Sequence, residues 1–181
     1  SKAIELKPDL VEAYNNRGVT YRKLGESEKA LADYNKAIEL KPDDAGAYNN
    51  RGVTYGKLGE SEKAIADYSK AIELKPDLVE AYNNRGVAYD DLGESKKAIA
   101  DYSKVIELKP DDADAYYNRG VAYASIGESE KAIADYSKVV KLKPDYADAY
   151  YNRGTTYSRI GESEKAIADY SKVIELKPDD A

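Results

Sequence analysis

Five residue types are missing from the sequence: cysteine, histidine, methionine, tryptophan and phenylalanine. Without cysteine there is no disulfide framework and no thiolate chemistry, and the redox compartment is left open. Without histidine the commonest general acid–base group and the commonest transition-metal ligand are both absent. No apolar run approaches the roughly 20 residues that span a bilayer. No signal-peptide pattern opens the chain, and a cytoplasmic setting is the expectation. The formal charge of −6 supplies no basic footprint for nucleic acid or an anionic membrane, so neither is expected as a partner.

What remains is a narrow palette. All 18 aromatic residues are tyrosine, and 34% of the 181 residues are charged against 42% apolar, a composition that suits soluble helices. Repetition of one unit produces such a palette. A consensus-type engineered sequence would produce it too.

The repeat is explicit. The hexapeptide Ala13–Tyr14–Asn15–Asn16–Arg17–Gly18 returns with small changes from Ala47, Ala81, Ala115 and Ala149, each time 34 residues on. The chain divides into units 11–44, 45–78, 79–112, 113–146 and 147–180, and residues 1–10 match the tail of a preceding unit. The expectation is a single array over 1–181, and a fixed period of this length calls for a solenoid.

Each unit reads as two helices. Ala13, Tyr14, Gly18, Tyr21 and Leu24 fall on one apolar stripe, which Gly25 ends by taking positive φ. Ser27 is expected to cap the second helix, on which Ala30, Leu31, Tyr34, Ala37 and Ile38 recur three and four apart. Lys41 suits the helix dipole there, Pro42 stops the helix, and Asp43 or Asp44 caps the next. Small Gly18, Ala30 and Ala37 facing large Tyr14, Tyr21 and Tyr34 let the helices interlock. Neither helix buries its stripe alone, so stacking of units carries the stability.

Tyr14, Gly18, Tyr21, Ala30, Tyr34, Ala37 and Pro42 stand at the offsets of the tetratricopeptide repeat (TPR) pattern, and the chain resembles that family over essentially its whole length. The resemblance implies an all-α, right-handed superhelical solenoid of antiparallel helix pairs, with the first helices lining a concave face. Two departures stand out. Val105, Val139 and Val173 replace the second small alanine, a local change of packing. Arg17, Arg51, Arg85, Arg119 and Arg153 stand where the family usually has leucine.

Every unit also carries an aspartate before its second-helix tyrosine: Asp33, Asp67, Asp101, Asp135 and Asp169. The expectation is that each arginine pairs with an aspartate, of its own unit or of a neighbour, as a structural ion pair rather than a ligand site.

Catalysis finds no support. Asp43–Asp44 and Asp111–Asp112 suit capping, and no unit is built differently from its copies as an acid–base pair requires. Gly25–Glu26–Ser27 lacks the spacing of a phosphate loop. No enzyme activity, cofactor or metal site is expected, and the partner is a protein or peptide.

The resemblance places Asn15, Asn16, Val19, Arg22 and Lys23 with their counterparts on the concave face. Asn16, Asn50, Asn84, Asn118 and Asn152 form a ladder, similar in offset to the asparagines along the superhelix of the O-linked N-acetylglucosamine transferase. Their amides could bond a peptide backbone or satisfy backbone groups between neighbouring units. Asn15, Asn49 and Asn83 precede three of them, while Tyr117 and Tyr151 take that place in the last two units, as aromatic anchors or stacked on each other. Family members that clamp acidic chaperone tails have lysine and asparagine where this chain has Asn15 and Val19, and lysine where it has Glu80, so that ligand is disfavoured. Glu12, Glu80, Asp114 and Asp148 suit a neutral or mildly basic segment.

Three readings follow: a scaffold binding an extended peptide or partner segment, an engineered or idealised array without a natural ligand, and a unit associating head to tail with its own copies.

Overall fold

The computed structural model describes residues 10–178, which contain ten α-helices and no strand. The first helices of the repeats, α1 (Val11–Lys23), α3 (Ala45–Lys57), α5 (Val79–Asp91), α7 (Ala113–Ser125) and α9 (Ala147–Arg159), are each 13 residues long. The second helices, α2 (Ser27–Leu40), α4 (Ser61–Leu74), α6 (Ser95–Leu108), α8 (Ser129–Leu142) and α10 (Ser163–Leu176), are 14 residues long. The helices group into two compact units, one ending at Leu92 and one beginning at Gly93. In the first unit α1 packs on α2, α3 on α4, and α3 also on α1 and α5. In the second, α7 packs on α8, α9 on α10, and α7 on α9. The architecture is all-α, of the helical-repeat solenoid class.

The turn within each repeat follows from its glycine. Gly25 has φ +78°, and its N–H donates to the Arg22 carbonyl at 3.2 Å while Glu26 N–H donates to Tyr21 at 2.9 Å. This pair of bonds is a Schellman ending, which requires the left-handed conformation that glycine adopts without strain. The glycines at 59, 93, 127 and 161 share the positive φ.

Capping departs from the sequence expectation at one point. Glu26, not Ser27, occupies the N-cap of α2, and no side chain caps the helix there; Ser27 is already its first helical residue. The Schellman turn spends the intervening residues and brings the helix in one position earlier. Asp44 does cap α3, accepting from Ala47 N–H at 3.2 Å, and Asp112 caps α7 through Ala115 N–H at 3.0 Å. Leu10, Leu78 and Tyr146 hold the same position elsewhere without a side-chain cap.

The core is tyrosine against alanine and glycine. Tyr34, Tyr68, Tyr102 and Tyr136 are buried, as are Ala30, Ala64, Ala98 and Ala132. In the first unit Tyr68 clusters with Ala64 and Ala88, and in the second Val139 clusters with Ala113 and Ala149, so the valine that replaces alanine is a core residue. Leu24 is not: it is 67% exposed, and Leu58, Leu92, Ile126 and Ile160 are exposed with it. Leu58 lines an open cleft with the Gly25–Lys29 turn of the preceding repeat, and Ile126 lines one with the Gly93–Lys97 turn. These side chains lie at the surface instead of extending the stripe into the core.

Burial raises the phenol pKa of Tyr34, of Tyr68 to about 12, and of Tyr136 further still. The unfolded value is about 10, so above that pH the unfolded chain sheds protons that the folded chain keeps. Stability is therefore unaffected by these groups below pH about 10 and falls as pH rises toward their folded pKa values. The slope is about 1.4 kcal/mol per pH unit for each such tyrosine. Urea denaturation from pH 8 to pH 11.5 is expected to show a level midpoint that drops above pH 10, and a shallower drop in Tyr136→Phe. A parent and variant that decline in parallel would contradict this account.

Candidate functional site

The arginine before each helix-packing glycine reaches across its own repeat. Arg17 Nε and Nη2 donate to Asp33 at 2.7 and 2.6 Å, a two-pronged match of guanidinium to carboxylate. Arg51 meets Asp67 at 2.8 and 2.6 Å, Arg119 meets Asp135 at 2.8 Å twice, and Arg153 meets Asp169 at 2.8 and 2.7 Å. The aspartates are buried and the arginines partly so. The hydrogen bond to the carboxylate, opposed by burial, raises the pKa of each of these four arginines.

The third arginine nitrogen does something the sequence reading missed. Arg51 Nη1 donates to Asn35 Oδ1 of the preceding repeat at 2.7 Å. Arg85, Arg119 and Arg153 donate likewise to the hydroxyls of Ser69, Ser103 and Ser137 at 3.0 Å. Each of these four guanidinium groups therefore ties two repeats together, and the signal for it was a small polar residue standing 16 positions before the arginine. Tyrosine rings flank the same groups: Arg51 Cζ lies 5.5 Å from the Tyr48 ring centre and 6.0 Å from that of Tyr55.

The asparagine ladder is also engaged between repeats. Asn50 Nδ2 donates to Asn15 Oδ1 at 3.0 Å, Asn84 Nδ2 to Asn49 Oδ1 at 3.1 Å, and Asn152 Nδ2 to the Tyr117 hydroxyl at 2.9 Å. The bonds join side chain to side chain, where the sequence left backbone groups as the partners. They fix the orientation of the amides through the Nδ2 groups of Asn50, Asn84 and Asn152. Asn16 is exposed; Asn83 and Asn118 are half-buried.

Tyr117 and Tyr151 do not stack on each other. Tyr117 is half-buried with ring centroids 5.1 Å from Tyr146 and 6.1 Å from Tyr136, whereas Tyr151 is 55% exposed and sits 6.0 Å from Tyr170. Asp114 and Asp148 form ion pairs with Lys143 and Lys177, at 2.9 and 3.0 Å. Their charge is thus partly answered from within the chain.

Two pockets of about 270 Å³ open between consecutive first helices. In the first unit, Val53 and Gly56 of α3 and Asn84, Val87 and Ala88 of α5 surround a floor made by Tyr68, with Lys57 and Asp91 at the rim. In the second unit, Val121 and Ala124 of α7 and Asn152, Thr155 and Thr156 of α9 surround Tyr136, with Arg159 at the rim. Each pocket thus has a ladder asparagine on its wall. Thr54 and Thr156, buried beneath this face, are satisfied by donating to the carbonyls of Asn50 and Asn152. Among the described residues no cluster of acidic side chains could hold a metal ion, and no helix is long and apolar enough to cross a membrane.

Comparison with known proteins agrees with this organisation. The family model described as TPR repeat matches residues 20–59, 91–127 and 122–161. Two described as tetratricopeptide repeat match 45–78 and 147–180, and 1–32 and 68–100. No curated protein matches the chain by sequence. Among solved structures the chain is similar to YrrB, a TPR protein with an unusual peptide-binding site, at 30% identity and a TM-score of 0.86, covering 98% of this chain and 92% of that one. It is similar to MamA at 30% identity and a TM-score of 0.87, over 93% and 92% of the two chains. MamA from Desulfovibrio magneticus RS-1 is 25% identical with a TM-score of 0.88, over 93% and 95%.

Proposed function

The chain belongs to the tetratricopeptide repeat family, and from that premise we propose that it is a protein-interaction scaffold holding an extended peptide or partner segment against the exposed face of its first helices. The observation that carries this reading is the recurrence of one arrangement in both units: a pocket between neighbouring first helices, floored by a tyrosine and walled by an oriented asparagine amide. Small-molecule sites are few and enclosed, whereas open side-chain pockets beside oriented amides suit an extended chain. The peptide-binding site of the similar YrrB supports the same class of ligand. Peptide N–H groups would meet the asparagine carbonyl oxygens, and partner side chains would enter the pockets.

The test is selection of a random peptide library on the purified protein, counter-selected on Asn50→Ala/Asn84→Ala/Asn152→Ala. Peptides retained by the parent and lost at least tenfold in the triple variant, with helicity by circular dichroism unchanged, are the expected result. Failure to enrich any peptide on the folded parent would overturn the proposal.

A further inference from the structure

The residue four positions after each helix-packing glycine stands beside the openings between neighbouring first helices. That position holds Arg22, Gly56, Asp90, Ala124 and Ser158 along the chain. Between α1 and α3, Arg22 lies over Tyr34; its Nε and the Tyr34 hydroxyl are both shut off from solvent. Between α3 and α5 the side chain is missing at Gly56, and between α7 and α9 it is the single methyl of Ala124, and there the two pockets open. Side-chain size at this one repeat position therefore distinguishes the covered Tyr34 from the open pockets over Tyr68 and Tyr136.

The Gly56 pocket has a defined chemistry. Val53, Val87 and Ala88 give it apolar walls, and Val87 is 42% exposed, so these walls are open to a ligand. Tyr68 is 96% buried by its 4% exposure, yet its hydroxyl points into the opening, 3.7 Å from where a Cβ on Gly56 would stand. Among the described residues that hydroxyl has no hydrogen-bond partner. Its pKa of about 12 keeps it protonated at neutral pH, able to donate and to accept. Lys57 and Asp91 among the lining residues carry opposite charges, and the Arg22 charge reaches the Tyr68 hydroxyl, so a hydrogen-bond acceptor at the ligand tip is favoured without a net charge being required. A purely alkyl side chain filling the pocket would displace water from the hydroxyl and leave it unpaired, which is costly.

Resting on the peptide-binding reading above, we propose that the Gly56 pocket is a specificity pocket for a side chain with an apolar stem and a neutral hydrogen-bonding tip, glutamine being the natural match. The stem lies on Val53 and Val87, and the carboxamide meets the Tyr68 hydroxyl. Arg22 is the built-in plug that denies the equivalent place one repeat earlier.

The experiment selects the same peptide library in parallel on the parent and on Gly56→Arg, Gly56→Ala, Tyr68→Phe and Arg22→Gly, with folding checked by circular dichroism. Parent peptides are expected to carry glutamine at one fixed position, and replacing it by leucine should weaken binding about tenfold by fluorescence polarisation. Gly56→Arg should lose this preference and bind the parent peptides at least tenfold more weakly, whereas Gly56→Ala, which narrows the pocket by a single methyl, should weaken binding less than Gly56→Arg. Tyr68→Phe should shift the selected residue to leucine or methionine. Arg22→Gly should add a second polar-tipped position. If peptides bind but Gly56→Arg and Tyr68→Phe select the same residue as the parent, the pocket assignment fails while peptide binding stands. If no variant and no parent enriches peptides, both readings fall together.

Discussion

Gly52→Ala is expected to lower the unfolding free energy by about 2–3 kcal/mol, while Gly56→Ala, one turn later in the same helix, is expected to raise it by about 0.5–1 kcal/mol. Both changes bring the same helix-propensity gain, since alanine loses less backbone entropy than glycine. They differ in what the new methyl meets. At Gly52 a Cβ would stand 2.7 Å from Tyr68 Cε1, 2.9 Å from Cδ1 and 3.2 Å from the Ala64 carbonyl oxygen. The ring is buried and the carbonyl is backbone, so α3 must move away from α4 to admit it. At Gly56 the nearest atom is the Tyr68 hydroxyl at 3.7 Å, an ordinary contact on an exposed face. Urea denaturation of the two variants and the parent decides the matter. Equal effects of the same sign would show that helix propensity, not the close approach of α3 and α4, governs this position. Gly120, 2.8 Å from Tyr136 by the same measure, should repeat the Gly52 result in the second unit.

The contrast between Gly52 and Gly56 also marks what the sequence makes legible. The period, the turn glycines at 25 and its counterparts, and the residues of the Gly18–Tyr34 interlock and of the Arg17–Asp33 pair recur in the sequence of every repeat, so each is read five times over and noise averages out. What was misread depends on local geometry that no period reports. Leu24 falls on the helical stripe by count, but it stands at the last turn, where the chain is already leaving the helix, and it is exposed. Ser27 has the chemistry of a cap and misses the position by one residue because the Schellman turn absorbs Gly25 and Glu26. The pockets were out of reach for a different reason. They exist where a variable residue is small, and variation at Arg22, Gly56 and Ala124 reads as surface drift until the neighbouring helix shows that the space is real.

The arginine that replaces the family's usual leucine explains how a charged residue can serve a packing position, and it makes the second large prediction. Asp67→Ala is expected to destabilise the protein by about 3 kcal/mol, more than the combined change Arg51→Met/Asp67→Leu. Asp67 has only 8% of its side chain exposed and Arg51 has 20%, so the pair has left most of its hydration behind. Removing the aspartate alone leaves a guanidinium in that site with two donors unmet, and breaking such a pair from one side costs about 3–5 kcal/mol where burial is complete. Replacing both by apolar groups of similar volume removes the unmet charge, and in other buried pairs such replacement is near neutral. Arg51 differs from an isolated pair in its third bond, to Asn35, and in its contact with the Tyr48 and Tyr55 rings. The double variant should therefore remain about 1 kcal/mol below the parent, the size of one ordinary hydrogen bond, and Asn35→Ala alone should cost a similar or smaller amount because that contact is exposed. The measurement is a double-mutant cycle by urea denaturation. A double variant as unstable as the sum of its single changes would show that Arg51 and Asp67 act independently, and that the tie between repeats, not the ion pair within one, is the reason for arginine at this position.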